Sequence, residues 1–184
     1  MATTYLTRTP GSTGNRKTWT FSAWVKRSSV GGTPTTFAYI FDCDAGGTQS
    51  ENKVGFVNDA FTFSIWNTDT ATSVANNTTN RLFRDTSGYY HLVVAVDTTQ
   101  AVDTNRIKLY VNGVQETSLA TSTYMAQDYD TGINTQNPHS IGRWEDGAAR
   151  YFDGLMTHIQ LVDGLALAPT EFGEVDATSG IWKI

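Results

Sequence analysis

The chain has one cysteine in 184 residues, Cys43. An internal disulfide and a cysteine-built zinc cluster are thereby excluded, and the thiol is expected as a small buried apolar group. Charge is scarce: Asp, Glu, Lys and Arg make up 17% of the residues, and 13 basic against 18 acidic side chains give a net charge of −5. No run of more than two Lys or Arg occurs. The electrostatic footprint of a nucleic-acid binder is therefore missing, and no nucleic-acid partner is expected. No apolar run approaches the ~20 residues of a membrane-spanning helix. The opening MATTYLTRTPGS holds no apolar core of a secretory signal. A soluble chain outside the Sec route is the expectation, with no membrane partner. Enzyme motifs are also lacking. His91, His139 and His158 show no His-x-x-x-His spacing, no serine stands in a Gly-x-Ser-x-Gly elbow, and no phosphate-cradling glycine loop opens a helix.

What the chain does have is β signal. Residues 90–96 (YHLVVAV) are apolar on both alternating sets, Tyr90/Leu92/Val94/Val96 and Val93/Ala95, which predicts a strand covered on both faces. Residues 106–111 (RIKLYV) alternate as a half-buried strand does. Asn112-Gly113 then predicts a type I′ hairpin turn, which needs positive φ at both central residues, and 114–117 returns from it. Residues 18–27 alternate with Trp19, Phe21, Ala23 and Val25 on one face and the single large aromatic Trp24 on the other. Residues 35–42 form a further strand, 42–51 a polar glycine loop, and 53–57 with 61–66 a hairpin across Asn58-Asp59-Ala60. The Thr/Asn-rich stretch 68–84 has room for one short strand, and 118–138 reads as a long polar loop. Residues 139–143 and 150–162 are strands around the acidic turn 144–147, and 3–8 is an edge strand. Pro169, Glu171 and Gly173 mark a single helical turn. The last ten residues (VDATSGIWKI) either dock on the body or continue into a longer polypeptide. With no internal repeat and no linker, 1–184 reads as one domain. Some ten short strands predict an all-β, antiparallel two-sheet jelly-roll sandwich.

Four segments carry a resemblance: TWTFSAWVKRS, SGYYHLVVAVD, IKLYVNGV and HSIGRWEDGAARYFDGLMTHIQLVDGLALAPTEF. In this order they resemble the markers of LamG-like and pentraxin-like domains of the concanavalin A-like lectin/glucanase superfamily, over roughly residues 18–172. Trp24 stands for the Trp of the long first strand and Tyr90-His91-Leu92 for the "WHH" strand. Asn112 replaces the Asp of the "YVDG" hairpin. Ile141-Gly142 and Phe152-Asp153-Gly154 match the final pair. The flanks, YLTRTPGSTGNRKTWTFSAWVKR and DGLALAPTEFGE, look like LamG-like domains in structural proteins of tailed bacteriophages. That resemblance implies a virion protein such as a tail fibre, spike or capsid appendage, assembled in the host cytoplasm beside other virion proteins, with a homo-oligomer as a further expectation.

The function this implies is a non-catalytic module that binds a cell-surface glycan, polysaccharide or receptor. A purely structural virion decoration domain is the alternative, and a glucanase-type hydrolase stands behind both. Glucanases of this fold use a Glu-x-Asp-x-(x)-Glu array, because a retaining glycosidase needs its carboxyl groups ~5 Å apart. The nearest string here, Glu174-Val175-Asp176, lacks the third acid. Trp144, in its acidic glycine turn, is the expected exposed ring, followed by Tyr151 and Trp66. With Arg143 and Arg150 beside them they make either a sugar platform or a subunit interface. His91 is expected as a packed structural histidine. The resemblance also implies calcium between Glu51-Asn52 and Glu145-Asp146, two hard-oxygen loops. Solvation of four polar turn residues is the competing reading, and Thr157 and His158 stand where many LamG-like domains carry an acid.

Overall fold

The computed structural model describes residues 4–31, 37–44, 51–144 and 150–184. Two antiparallel sheets face each other. The first has seven strands: β1 (Leu6–Arg8), β3 (Phe37–Asp44), β4 (Glu51–Val57), β5 (Ala60–Asn67), β6 (Thr72–Leu82), β10 (Leu119–Thr123) and β11 (His139–Ile141), in the order β1-β11-β3-β4-β5-β6-β10. The second has five: β2 (Thr18–Arg27), β7 (Tyr90–Asp97), β8 (Ile107–Val111), β9 (Val114–Gln115) and β12 (Gly154–Asp163), in the order β12-β2-β7-β8-β9. This is the expected jelly-roll sandwich. A hairpin of β13 (Glu174–Val175) and β14 (Trp182–Lys183) follows a 3₁₀ turn at Pro169–Glu171, the helical turn read from Pro169.

Side-chain alternation explains the sandwich. On β2, Trp19, Phe21, Ala23 and Val25 enter the core, where they meet Leu92, Val94 and Val96 of β7 and Ile40, Phe41, Val54, Phe61, Phe63 and Ile65 of the opposite sheet. Phe21 and Phe41 stack across the sheets at 4.7 Å. Each such side chain contributes ~1.5–3 kcal/mol by leaving water. The back of the five-stranded sheet is covered as well, since Thr20, Ser22, His91 and Val93 are all buried. The hydroxyl of Thr20 clasps the segment after β12, donating to the Leu165 carbonyl at 2.7 Å and accepting from the Leu167 amide at 2.8 Å. Cys43 is buried as expected. It donates to the Gly132 carbonyl, and burial pushes its thiol up to about 12.

Both hairpins form on the turns read from the sequence. Asn112 and Gly113 have φ of 48° and 82°, and Asn58 and Asp59 have φ of 49° and 68°. Asp59 also does something unforeseen. Its buried carboxylate takes Arg27 at 2.8 Å, Arg84 at 2.8 Å and the Gly31 amide. Burial pushes this carboxyl up, but the hydrogen bonds from Arg84, Gly31 and Arg27 together hold it below its usual range.

Two expectations are corrected. The stretch 68–84 holds an eleven-residue strand, β6, and the supposed loop 118–138 contains β10 paired to it. Polar inward positions hid them. Asn77 of β6 points into the interior, where its amide donates to the Thr123 carbonyl at 2.9 Å. The register Asn76↔Thr123 and Thr78↔Thr121 shows none of the apolar alternation that marks a strand.

Candidate functional site

The outward positions of the seven-stranded sheet follow from its inward ones. Phe63, Ile65 and Asn52 face the core, so their neighbours Ser64, Trp66, Lys53 and Glu51 face out. The register then aligns two polar rows across the sheet. One runs Asp42, Lys53, Ser64, Asn76, Thr123; the other runs Gly55, Thr62, Thr78, Thr121. Their side chains are already tied together. The Thr62 and Thr78 hydroxyls lie 3.1 Å apart, and Thr78 donates to the Asn76 carboxamide oxygen at 2.9 Å. Trp66 ends the face beside Glu51, its cross-strand partner, and is 39% exposed. Asp44 lies opposite Glu51 on the other side.

At the β3 end a wall of rings and cations closes these rows. Trp144 was expected as an exposed ring and is instead 7% exposed. Arg150 lies over its ring at 3.9 Å and Lys53 at 4.3 Å, while Tyr39 meets it edge-on at 6.2 Å. Two cations stacked on one indole explain the burial, because the ring's negative face stabilises positive charge withdrawn from water. Lys53 is further held by an ion pair to Glu51. Burial pushes the Tyr39 phenol well above its usual range, against the lowering effect of Arg150. Arg150 also covers Phe37 at 4.5 Å. Arg143 and Tyr151 join through Tyr5: the Arg143 guanidinium sits 3.6 Å from the Tyr5 ring centre, and Tyr5 lies 6.4 Å from Tyr151.

Of the expected platform, then, Trp144 and Arg150 come together, Arg143 and Tyr151 share Tyr5, and Trp66 stands across the sheet. Lys53, Tyr39 and the hydroxyl rows were missed, although the Thr and Ser between Phe61, Phe63 and Ile65 carried their signal. The expected calcium ligands divide. Asn52 is fully buried on the inner face and accepts the Gly132 amide at 3.1 Å, so it is withdrawn from that set. Glu51 is outward but paired with Lys53, and Glu145 and Asp146 lie outside the described residues. Among the described residues no group of three His, Cys, Asp or Glu is placed to hold a metal.

His91 forms a separate constellation behind the other sheet. The Trp182 indole donates to Nδ1 at 2.9 Å, and Ser22 Oγ lies 2.9 Å from Nε2. An indole N–H can only donate, so the imidazole carries its proton on Nε2 and gives it to Ser22. A serine nucleophile needs the opposite polarity, with the imidazole accepting. His91 is stacked between Trp24 at 5.0 Å and Trp182 at 5.8 Å, the packed histidine expected, and burial lowers it to about 4. The expected Glu174–Asp176 string sits on the C-terminal hairpin, where both acids bind Lys183.

A family model described as the concanavalin A-like lectin/glucanases superfamily matches residues 2–171. No curated protein matches the chain significantly in sequence. Several solved structures share the fold, among them the following three. Domain 4 of AbnA, a GH43 extracellular arabinanase from Geobacillus stearothermophilus, in complex with arabinotriose, is 17% identical with a TM-score of 0.54, over 85% of this chain and 65% of that one. The SAP-like pentraxin from Limulus polyphemus is 16% identical with a TM-score of 0.56, over 84% and 68%. The Ruminococcus gnavus IT-sialidase CBM40 bound to α2,3 sialyllactose is 14% identical with a TM-score of 0.55, over 89% and 92%. At these identities the likeness is one of fold. The family model spans nearly the whole sequence, and the chain belongs to the concanavalin A-like lectin/glucanases superfamily.

Proposed function

We propose that this chain is a non-catalytic carbohydrate- or receptor-binding module whose ligand lies on the outer face of the seven-stranded sheet. The observation that carries the reading is the exposed Trp66 indole at the edge of the half-buried hydroxyl and carboxamide groups of Ser64, Asn76 and Thr78. An indole stacks on the apolar face of a sugar ring while such groups hydrogen-bond its hydroxyls. The wall of Trp144, Arg150, Lys53 and Tyr39 closes the face at one end. Two of the structurally similar proteins hold saccharides, arabinotriose and α2,3 sialyllactose, which supports the ligand class. Asp42, Asp44 and Glu51 share the face, but Glu51 is committed to Lys53, and we assign no hydrolytic step to them. The phage-like flanks extend the proposal to a virion structural protein, assembled in the host cytoplasm, whose target is a host surface glycan.

A second reading is assembly with neighbouring virion proteins or further copies of the chain. Leu155 and Leu161 of the edge strand β12 are 58% and 38% exposed, which favours a contact there. A glycan array of the isolated domain separates the two. Retention that disappears in Trp66→Ala, with an unchanged melting temperature, is the expected result; no retention on any surface polysaccharide would leave assembly. Reducing-sugar release from laminarin would instead restore the hydrolase. The calcium proposal keeps Glu51, Glu145 and Asp146. It requires that calcium raise the melting temperature by binding the folded state alone, and that Asp146→Ala remove the rise. Identical curves in calcium and EDTA would end it.

A further inference from the structure

A cavity of about 430 Å³ lies on the other sheet, between its outer face and the C-terminal segment. Ser22, Trp24, His158, Gln160, Glu171 and Glu174 are among its polar lining residues. Trp24 is 9% exposed, and its indole Nε1 is buried without a hydrogen-bond partner. Buried N–H groups are almost always paired, so a donor left over in a cavity wall points to an acceptor that the chain itself does not supply.

The strand geometry opposite Trp24 is also unusual. The register of β12 on β2 runs Thr157↔Trp24 and then Gln160↔Ser22, so His158 and Ile159 together face Ala23 alone. This is a β-bulge, and φ at His158 is 49°. A bulge re-aims a side chain, and here it brings His158 into the lining of the cavity. Its Nδ1 lies 2.9 Å from the Thr157 hydroxyl, and Nε2 has no partner among the described residues. Ser22 accepts its hydrogen bond from His91, so its own proton is left to donate. Glu174 shares Lys183 at 3.3 Å, and Phe172 and Ile184 add apolar wall.

The lining selects a ligand class. A cation could pair with Glu171 and Glu174 but could not accept from Trp24. An anion would accept from Trp24 but face two carboxylates. Hydroxyl groups both donate and accept, and a sugar ring offers an apolar face besides. We propose that this cavity is a second binding site, for one neutral sugar residue. It stands on the sheet opposite Trp66, so either site can fail without the other.

The test reads the indole N–H resonances of the isotope-labelled protein, with Trp24 assigned through Trp24→Phe. Glucose, galactose and N-acetylglucosamine are titrated to about 100 mM, far above the ~1 mM dissociation constant of a weak site. Saturable movement of the Trp24 resonance with at least one sugar is expected. Glu171→Gln and His158→Asn, the latter keeping a residue suited to positive φ, should each weaken the curve about tenfold. Trp66→Ala should leave it unchanged. A Trp24 resonance that stays still with all three sugars overturns the proposal. So does a curve indifferent to both variants, or equal movement with choline chloride.

Discussion

Acid should loosen this protein through one imidazole. His91 is fully buried beside two indoles, with Ser22, Trp182, Trp24 and the Phe172 ring around it and, among the described residues, no carboxylate bonded to it. Burial alone lowers it from 6.5 to about 4. The unfolded chain therefore binds a proton that the folded chain refuses between those values. Stability contributed by neutral His91 is complete above about pH 6.5, declines as pH falls toward 4, and levels off below that. At 1.36 kcal/mol per unit the loss is about 2 kcal/mol by pH 5 and about 3 kcal/mol by pH 4. Burial lowers His139 too, so the wild-type slope is the sum of both. Urea unfolding at pH 7, 6 and 5 of the wild type and of His91→Gln isolates the first. The variant should be less stable at pH 7 and lose about 2 kcal/mol less on going to pH 5. Equal slopes in the two proteins would refute the argument, because they would mean that His91 is as easily protonated folded as unfolded.

Two further outcomes follow from the turns. Gly113→Val should cost on the order of 1–3 kcal/mol from its positive φ alone. Further loss is expected because a Cβ there would lie 2.4 Å from the Trp182 ring. An unchanged melting temperature would contradict the placement of the C-terminal hairpin. Asp59→Ala should cost ~3–5 kcal/mol, because it leaves the Arg27 guanidinium buried without its counter-charge. A loss below about 1 kcal/mol in urea unfolding would show that the carbonyl of Phe83, the other acceptor of Arg27, suffices.

The parts legible in the sequence were those where one residue type leaves one conformation open. Asn112-Gly113 and Asn58-Asp59 are such cases, and so is β2, with large apolar residues at every second place. The elements missed were those whose interior is polar. Asn77 is buried through a partner on β10, forty-six residues away, and no local pattern announces such a bond. The site divided for the same reason. Trp144 beside acids and glycine has the composition of an exposed loop, but its burial depends on Lys53 and Arg150, brought to it by the sheet register and by the return of the chain. Asn52 reads as a surface ligand until the alternation of β4 is fixed by Val54 and Phe56, which turn it inward. Asp59 reads as turn chemistry only, because Arg27 and Arg84 reach it from elements remote in sequence.

The pairing of β12 on β2 sets the order in which the molecule can be made. Arg27 lies opposite Gly154, and Trp19 opposite Asp163. The first long strand thus waits for the last one, while the hairpins at Asn58-Asp59 and Asn112-Gly113 can close within microseconds. Loop closure over that separation has to precede its reward, which places the rate-limiting step in the milliseconds-to-seconds range of non-local β folds. During synthesis β2 can dock only on β7. Its other edge stays open to foreign strands until β12 emerges, so a chain arrested before residue 154 should be the aggregating species.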